Sequence, residues 1–113
     1  MAAKILNFSM RRGDTPTVEA YLRDENRQLV ADPTSQWKLT ARSTPRFEGT
    51  ELFTVGPLPQ YATGTGRLPI PASATSSFTY TRKIYYDVQV TETNGNVTTV
   101  LTGYIVVEVD QAR

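Results

Sequence analysis

The chain has 113 residues, a length typical of one domain with a modest hydrophobic core. Its 12 Lys and Arg balance 11 Asp and Glu, and the net charge of +1 points neither to nucleic acid nor to a charged membrane surface. Histidine and cysteine are both absent, which excludes disulfides, imidazole or thiolate metal sites, and catalytic sites built on either residue. The sequence therefore predicts a single domain over residues 1–113 that is not an enzyme and holds no metal or cofactor.

The N-terminal residues lack the apolar core of a secretion signal, because Ile5 and Leu6 are followed by Asn7 and then by Arg11 and Arg12. No apolar run approaches the roughly 20 residues that cross a bilayer. We therefore expect a protein that is made in the cytoplasm, is not secreted and does not bind a membrane.

Three short segments in the first half of the chain alternate apolar and polar residues and predict β-strands. They lie at residues 6–10, 17–23 and 36–42. The third segment contains the only tryptophan, Trp37, which is expected in the core. The charged stretch between the second and third segments predicts a solvated turn, after which Leu29 and Val30 are expected to return to the core.

The middle of the chain gives a weaker pattern. Glu51 to Val55 predicts a short strand, but residues 56–71 contain four prolines and three glycines. Because proline cannot donate a hydrogen bond to a neighbouring strand, this stretch predicts an irregular crossover or edge, with a short strand at residues 67–70.

The last third predicts a long β-hairpin from Thr81 to Val109, turning at Asn94-Gly95 in a type I′ turn with positive φ at both residues. The residues expected to face inward are Tyr80, Ile84, Tyr86, Val88 and Val90 on the first strand of the hairpin, and Leu101, Ile105, Val107 and Val109 on the second. No segment shows helical periodicity. The prediction is an all-β protein, an immunoglobulin-like antiparallel β-sandwich of about seven strands with a long C-terminal hairpin.

Two short motifs are better explained by local structure than by function. Arg12-Gly13-Asp14 matches the tripeptide that integrins recognise. Glycine and aspartate also suit a turn that ends a strand, and the Asp14 carboxylate is expected to cap that turn. Gly64-Thr65-Gly66 lacks the lysine and the following helix of a phosphate-binding loop, so a flexible loop is expected there. Asp87, Glu92, Glu108 and Asp110 are expected to be solvated rather than to bind calcium.

Tyrosines provide the candidate interface. Alternation along the final hairpin places Tyr85 on the outer face, beside Tyr104, where exposed aromatic residues act both as cross-strand pairs and as interface anchors. Leu58, Tyr61 and Arg67 are included in the candidate interface because long ordered loops such as 56–71 often have a docking role. The N-terminal strand is a further candidate.

Three stretches together resemble small immunoglobulin-like structural proteins of tailed bacteriophages, including N-terminal modules of baseplate and tail proteins. They are Arg12 to Thr15, Gln36 to Arg42 and Tyr85 to Asp110. The shared motifs are turns and alternating strands. The resemblance implies a non-enzymatic virion protein, an adaptor or accessory module of the tail, neck or baseplate. It also implies contacts with other virion proteins and symmetric copies of itself, without a cofactor or nucleic acid.

Three alternatives remain. The first is a capsid decoration protein on the outer head shell. The second is a carbohydrate- or ligand-binding β-module that stacks its ligand on the tyrosines or on Trp37, which would then have to be exposed. The third is an enzyme that uses the scattered carboxylates.

Overall fold

A computed structural model describes residues 3–45 and 49–109 of the chain. It contains eight strands and a single 3₁₀ turn at Ala72–Ala74. The strands are β1 (Lys4–Ile5), β2 (Phe8–Arg11), β3 (Thr17–Tyr21), β4 (Gln36–Arg42), β5 (Glu51–Pro59), β6 (Thr65–Pro69), β7 (Arg82–Thr91) and β8 (Val97–Glu108). No helix in the described ranges is long and apolar enough to cross a membrane.

The strands form two sheets that pack face to face. The large sheet has six strands in the order β1-β8-β7-β4-β5, with β2 also paired to β8; the small sheet has two strands, β3 and β6. Consecutive strands β3 and β4 lie in different sheets, as do β5 and β6. This order is that of an immunoglobulin-like sandwich, so the predicted fold class is confirmed.

The N-terminal edge departs from the prediction of a fully antiparallel sandwich with one strand at residues 6–10. Strand β2 begins only at Phe8, Leu6 and Asn7 belong to no strand, and a further short strand, β1, precedes them; β1 and β2 both pair with β8 in parallel. Met10 is buried as expected, whereas Leu6 is exposed. Pairing between residues almost a hundred positions apart leaves no local signal, and the sequence pattern therefore misses its direction.

The core lies between the sheets and is built from the inward positions that alternation predicts. Trp37 is fully buried and its indole Nε1 donates to Ser35 Oγ at 3.1 Å. Its ring packs so closely on Gly66 of β6 that a β-carbon there would overlap the indole. The core prediction for Trp37 is confirmed, and glycine at position 66 is what lets the small sheet approach the large one. Of the two residues expected to return before β4, Val30 packs on the core but Leu29 stays exposed.

The C-terminal hairpin is present, and its predicted inward residues are buried with one exception: Tyr80 precedes β7 and is 55% exposed. The turn also differs from the predicted type I′. Only Gly95 has positive φ (90°), and its amide donates to the Glu92 carbonyl at 2.8 Å. The result is a three-residue loop, in which the Thr93 amide donates to Asp32 Oδ2 at 2.9 Å. Asp32 is remote in sequence, so the local pattern gives no sign of this contact.

Residues 56–71 contribute to two edge strands, which confirms the edge alternative of the prediction, although strand covers more of this stretch than the predicted residues 67–70. β5 continues through Pro59, across a cis Gly56-Pro57 bond, and β6 occupies Thr65–Pro69. Within the described residues, both strands have a neighbour on one side only. A proline is tolerated in an edge strand because its missing N–H need not face a partner, which fits the position of both strands at sheet edges.

Candidate functional site

The Arg12-Gly13-Asp14 segment forms the predicted turn. Gly13 has φ of 87°, and the Asp14 carboxylate accepts from the Arg11 amide at 3.0 Å. The Arg12 guanidinium donates to the Phe78 carbonyl at 2.9 Å. The capping function expected of Asp14 is therefore confirmed, and the Arg12 side chain also takes part in the tertiary structure.

Gly64-Thr65-Gly66 is not the predicted flexible loop either. Gly64 is buried in the turn before β6, where its amide donates to Gln60 Oε1 at 3.3 Å, and the next two residues begin β6. The described residues contain no group of three or more His, Cys, Asp or Glu side chains that could hold a metal ion. Asp110 lies outside the described residues.

Tyr85 and Tyr104 lie directly opposite each other across β7 and β8, on the outer face of the large sheet. Both are half-buried. The Lys83 ammonium stands 4.4 Å from the centre of the Tyr104 ring, and the Tyr104 amide donates to Asn7 Oδ1 at 3.0 Å. The two predicted tyrosines thus lie side by side, and Tyr104 is hydrogen-bonded to the segment between β1 and β2.

These two tyrosines line a groove of about 490 Å³, which we call the tyrosine groove. Its lining includes Arg42 and Asp87, whose Nη1 and Oδ2 atoms are 3.5 Å apart. Burial raises the pKa of the Asp87 carboxyl, and the Arg42 charge acts in the opposite direction. The groove therefore combines aromatic rings with a partly desolvated ion pair.

The other three predicted interface residues lie elsewhere. Arg67 stacks over the Tyr61 ring at 4.0 Å and pairs with Glu19 through Nε and Oε2 at 3.2 Å, on the outer face of the small sheet. Leu58 is half-buried, lies opposite Trp37 in the β4–β5 ladder and packs on the core. The five predicted residues do not form one surface, and a contact role for Leu58 is at odds with its packing.

A second groove was not predicted from the sequence. It has a volume of about 470 Å³ and lies where β3 of the small sheet faces the start of β8 and the N-terminal strand; we call it the side groove. Its lining residues are Lys4, Leu6, Glu19, Ala20, Tyr21, Leu22, Arg23, Thr98, Thr99, Val100 and Leu101.

Two exposed apolar side chains line the side groove. Leu6 and Tyr21, which line it, are 43% and 40% exposed. The outward position of Tyr21 was readable from strand alternation, but the groove beside it depends on which strands lack a neighbour.

No protein-family model and no curated protein matches this chain. Solved structures that match include an uncharacterized protein from Bacillus anthracis str. Ames, with 11% sequence identity, 96% of this chain and 85% of that chain covered, and a TM-score of 0.45. This likeness carries no argument about function. The fold assignment rests on the strand order and register of the chain itself, and the resemblance to phage structural proteins stays a prediction.

Proposed function

We propose that the protein is a non-enzymatic protein-binding module. The observation that supports this proposal is the side groove, a mostly apolar depression lined by the exposed side chains of Leu6 and Tyr21. Contiguous exposed apolar surface is unusual on a protein without partners and is typical of interaction sites.

The resemblance to phage tail and baseplate modules supplies the setting of the proposal. In that setting the partners are other virion proteins or neighbouring copies of the chain, and the module acts as an adaptor or accessory part of the tail, neck or baseplate. The rival setting is the outer head shell, where the same groove would contact the capsid protein.

Incorporation into particles tests this proposal. Purified virions are analysed by quantitative mass spectrometry after infection with phage that encode either the natural chain or Leu6→Asp, which places a charge in the side groove. We expect at least a roughly tenfold loss of the variant, since 1.4 kcal/mol of binding corresponds to that factor. Glu25→Gln, in an exposed turn outside the groove, is the matched control.

Two results would count against the proposal. Complete absence of the natural chain from particles would contradict the virion setting, and equal incorporation of a folded Leu6→Asp protein would contradict the use of the side groove. Cryo-electron microscopy density on the head alone would favour the capsid decoration alternative over the tail.

The tyrosine groove supports a second candidate function, binding of a carbohydrate. Aromatic faces suit the apolar faces of sugar rings, and the Arg42–Asp87 pair offers donors and acceptors to hydroxyl groups. Trp37 takes no part in this candidate, because its burial contradicts the prediction that it might act as a stacking platform. A glycan array followed by calorimetry tests it: Tyr104→Ala should abolish any binding, and Tyr80→Ala should leave it unchanged.

A further inference from the structure

The backbone of β3 has an open edge along the side groove. In the antiparallel β3–β6 ladder, the Leu22 amide donates to Gly64 and the Ile70 amide donates to Pro16, each at 2.8 Å. Hydrogen-bonded positions alternate along such a ladder, so the backbone amides and carbonyls of the intervening even-numbered residues also point towards β6. The amides and carbonyls of the odd-numbered residues 17, 19 and 21 therefore point away from β6. No backbone partner for these groups is found within residues 3–45 and 49–109.

The other open edges of the described sandwich carry features that discourage strand addition. β6 presents Pro69 at a position that faces away from β3, and β5 contains Pro57 and Pro59. The N-terminal edge is divided into two short strands. β3 has no proline and no lysine, and its only charged residue is Glu19. Because prolines, charges and short length protect natural edges, β3 is the least protected of the four.

We propose that β3 accepts an extended segment of another protein, which pairs antiparallel with it as a third strand of the small sheet. Alternate apolar side chains of that segment enter the side groove, beside Ala20 and Leu22. Backbone hydrogen bonds hold the strand, and the groove selects its side chains. This inference deepens the proposed function and rests on it, because it names the class of partner that the groove receives.

Charge at the edge selects the partner. Glu19 lies on the outer face, and its hydrogen bond from Tyr21 lowers the pKa of its carboxyl, which favours the charged form. Arg67 flanks it on the β6 side alone. The position on the other side of Glu19 suits a lysine or arginine of the incoming strand, since opposite charges on directly paired residues are stabilising.

The same charge disfavours a second copy of β3 as the occupant. Antiparallel pairing of two β3 strands centred on Glu19 would place the two carboxylates directly opposite each other, which is destabilising. The occupant is therefore a segment with a different sequence, apolar at alternate positions and basic between them.

Designed peptides test the proposal. The probe is the acetylated peptide TVTVKVTVT with a fluorescent label, in which the valines face the groove when the central lysine lies opposite Glu19. Two matched peptides change one feature each: glutamate in place of the lysine, and N-methylation of the central amide. Anisotropy titrations with the full-length protein should show binding of the probe, with both matched peptides at least roughly tenfold weaker.

Protein variants complete the test. Glu19→Lys should reverse the preference between the lysine and glutamate peptides, and this variant keeps the proposal falsifiable if a proline variant does not fold. Glu19→Pro removes the outward amide but no bond to β6, so it should abolish binding. Arg67→Pro makes the same change on the outer edge of β6; because it also removes the cation paired with Glu19, it should keep or strengthen binding of the lysine peptide. On binding, amide exchange of residues 17, 19 and 21 should slow.

The outcomes separate this inference from the proposed function. Equal binding of the N-methylated peptide, or no binding of the probe at about 1 mM, overturns strand addition. Loss of Leu6→Asp protein from virions would still support a protein-binding groove in that case. Unchanged incorporation of that variant would contradict the proposed function whatever the peptides do.

Discussion

The two sheets of the sandwich differ in how fully their backbones are paired. In the large sheet, β7 has partners on both sides, and β8 is covered by β7 and by the N-terminal strands. In the small sheet, β3 and β6 pair only with each other among the described residues. A two-stranded sheet is marginally stable in water by itself. The small sheet must therefore owe its stability to packing on the large sheet, and it is also where backbone groups remain open to a partner.

The largest expected effect comes from breaking the contact that joins the two sheets. Trp37→Ala removes the indole that packs on Gly66, and loss of a buried tryptophan costs about 3–5 kcal/mol of unfolding free energy. Urea unfolding followed by far-ultraviolet circular dichroism measures it. Tyr80→Ala, which truncates an exposed aromatic residue, is the control and should cost far less. A loss below about 1 kcal/mol in Trp37→Ala would contradict the dependence of the small sheet on this contact.

A second change tests how the N-terminal edge is attached to the large sheet. A β-carbon at Gly103 would overlap the Leu6 carbonyl, so Gly103→Ala must displace the N-terminal strand from β8. We expect a loss of up to about 3 kcal/mol, in the range of overpacking effects, with faster amide exchange at Leu6. Thr102→Ala is the control, because its backbone bond to Leu6 is kept. An unchanged exchange rate at Leu6 would refute the predicted displacement.

Alkaline pH tests the same attachment without a steric change. The Tyr86 hydroxyl donates to the Leu6 carbonyl at 2.8 Å, and burial raises its pKa from 10.0 to about 12. The folded state thus holds this proton more tightly than the unfolded state, so the contribution is complete below pH 10 and falls as pH rises towards 12. The loss of unfolding free energy between pH 10 and pH values above 12 amounts to about 2–3 kcal/mol.

The comparison that isolates this effect is with Tyr86→Phe, which lacks the hydroxyl. Unfolding free energies of both proteins are measured from pH 9 to the highest pH at which they fold reversibly. The difference between them should favour the natural protein by about 1 kcal/mol at neutral pH and shrink or reverse above pH 10. Parallel pH profiles would show that Tyr86 does not titrate as its burial implies.

The smallest effect is expected on the outer face of the large sheet. Lys83→Met keeps the length of the side chain but removes the charge over the Tyr104 ring, which is worth about 0.5–1 kcal/mol at an exposed site. A double-mutant cycle with Tyr104→Leu measures the coupling between the two side chains. A coupling energy of zero would mean that this pair does not stabilise the outer face.

The local sequence pattern was sufficient to predict those strands that are amphipathic or that pair with the next strand in the sequence. β3, β4 and the β7–β8 hairpin were predicted from alternation, and the burial of Trp37 and Val88 follows from the same parity. At residues 56–71 the prolines left a crossover and an edge both open, and the structure has edge strands there, which tolerate proline. The final hairpin turns at Asn94-Gly95 as predicted, but through a three-residue loop instead of a type I′ turn.

Only part of the candidate site could be predicted from the sequence. Tyr85 and Tyr104 were predicted to lie side by side, and they do. Leu58, Tyr61 and Arg67 were grouped with them because they share a proline-rich segment, yet register and sheet assignment separate them in space. The side groove was missed, since it is formed by residues far apart in the chain.

By itself the amino-acid sequence determined β3, β4 and the two strands of the final hairpin, and which face of each is buried, because these depend on the period of two along each strand. The Asn94-Gly95 pair determined where the hairpin turns. The parallel attachment of the N-terminus, the assignment of β3 and β6 to a sheet of their own and the open β3 edge were decided only by the tertiary structure. Each depends on which strand lies beside which, and non-local pairing follows from how the two apolar faces pack together rather than from any single segment.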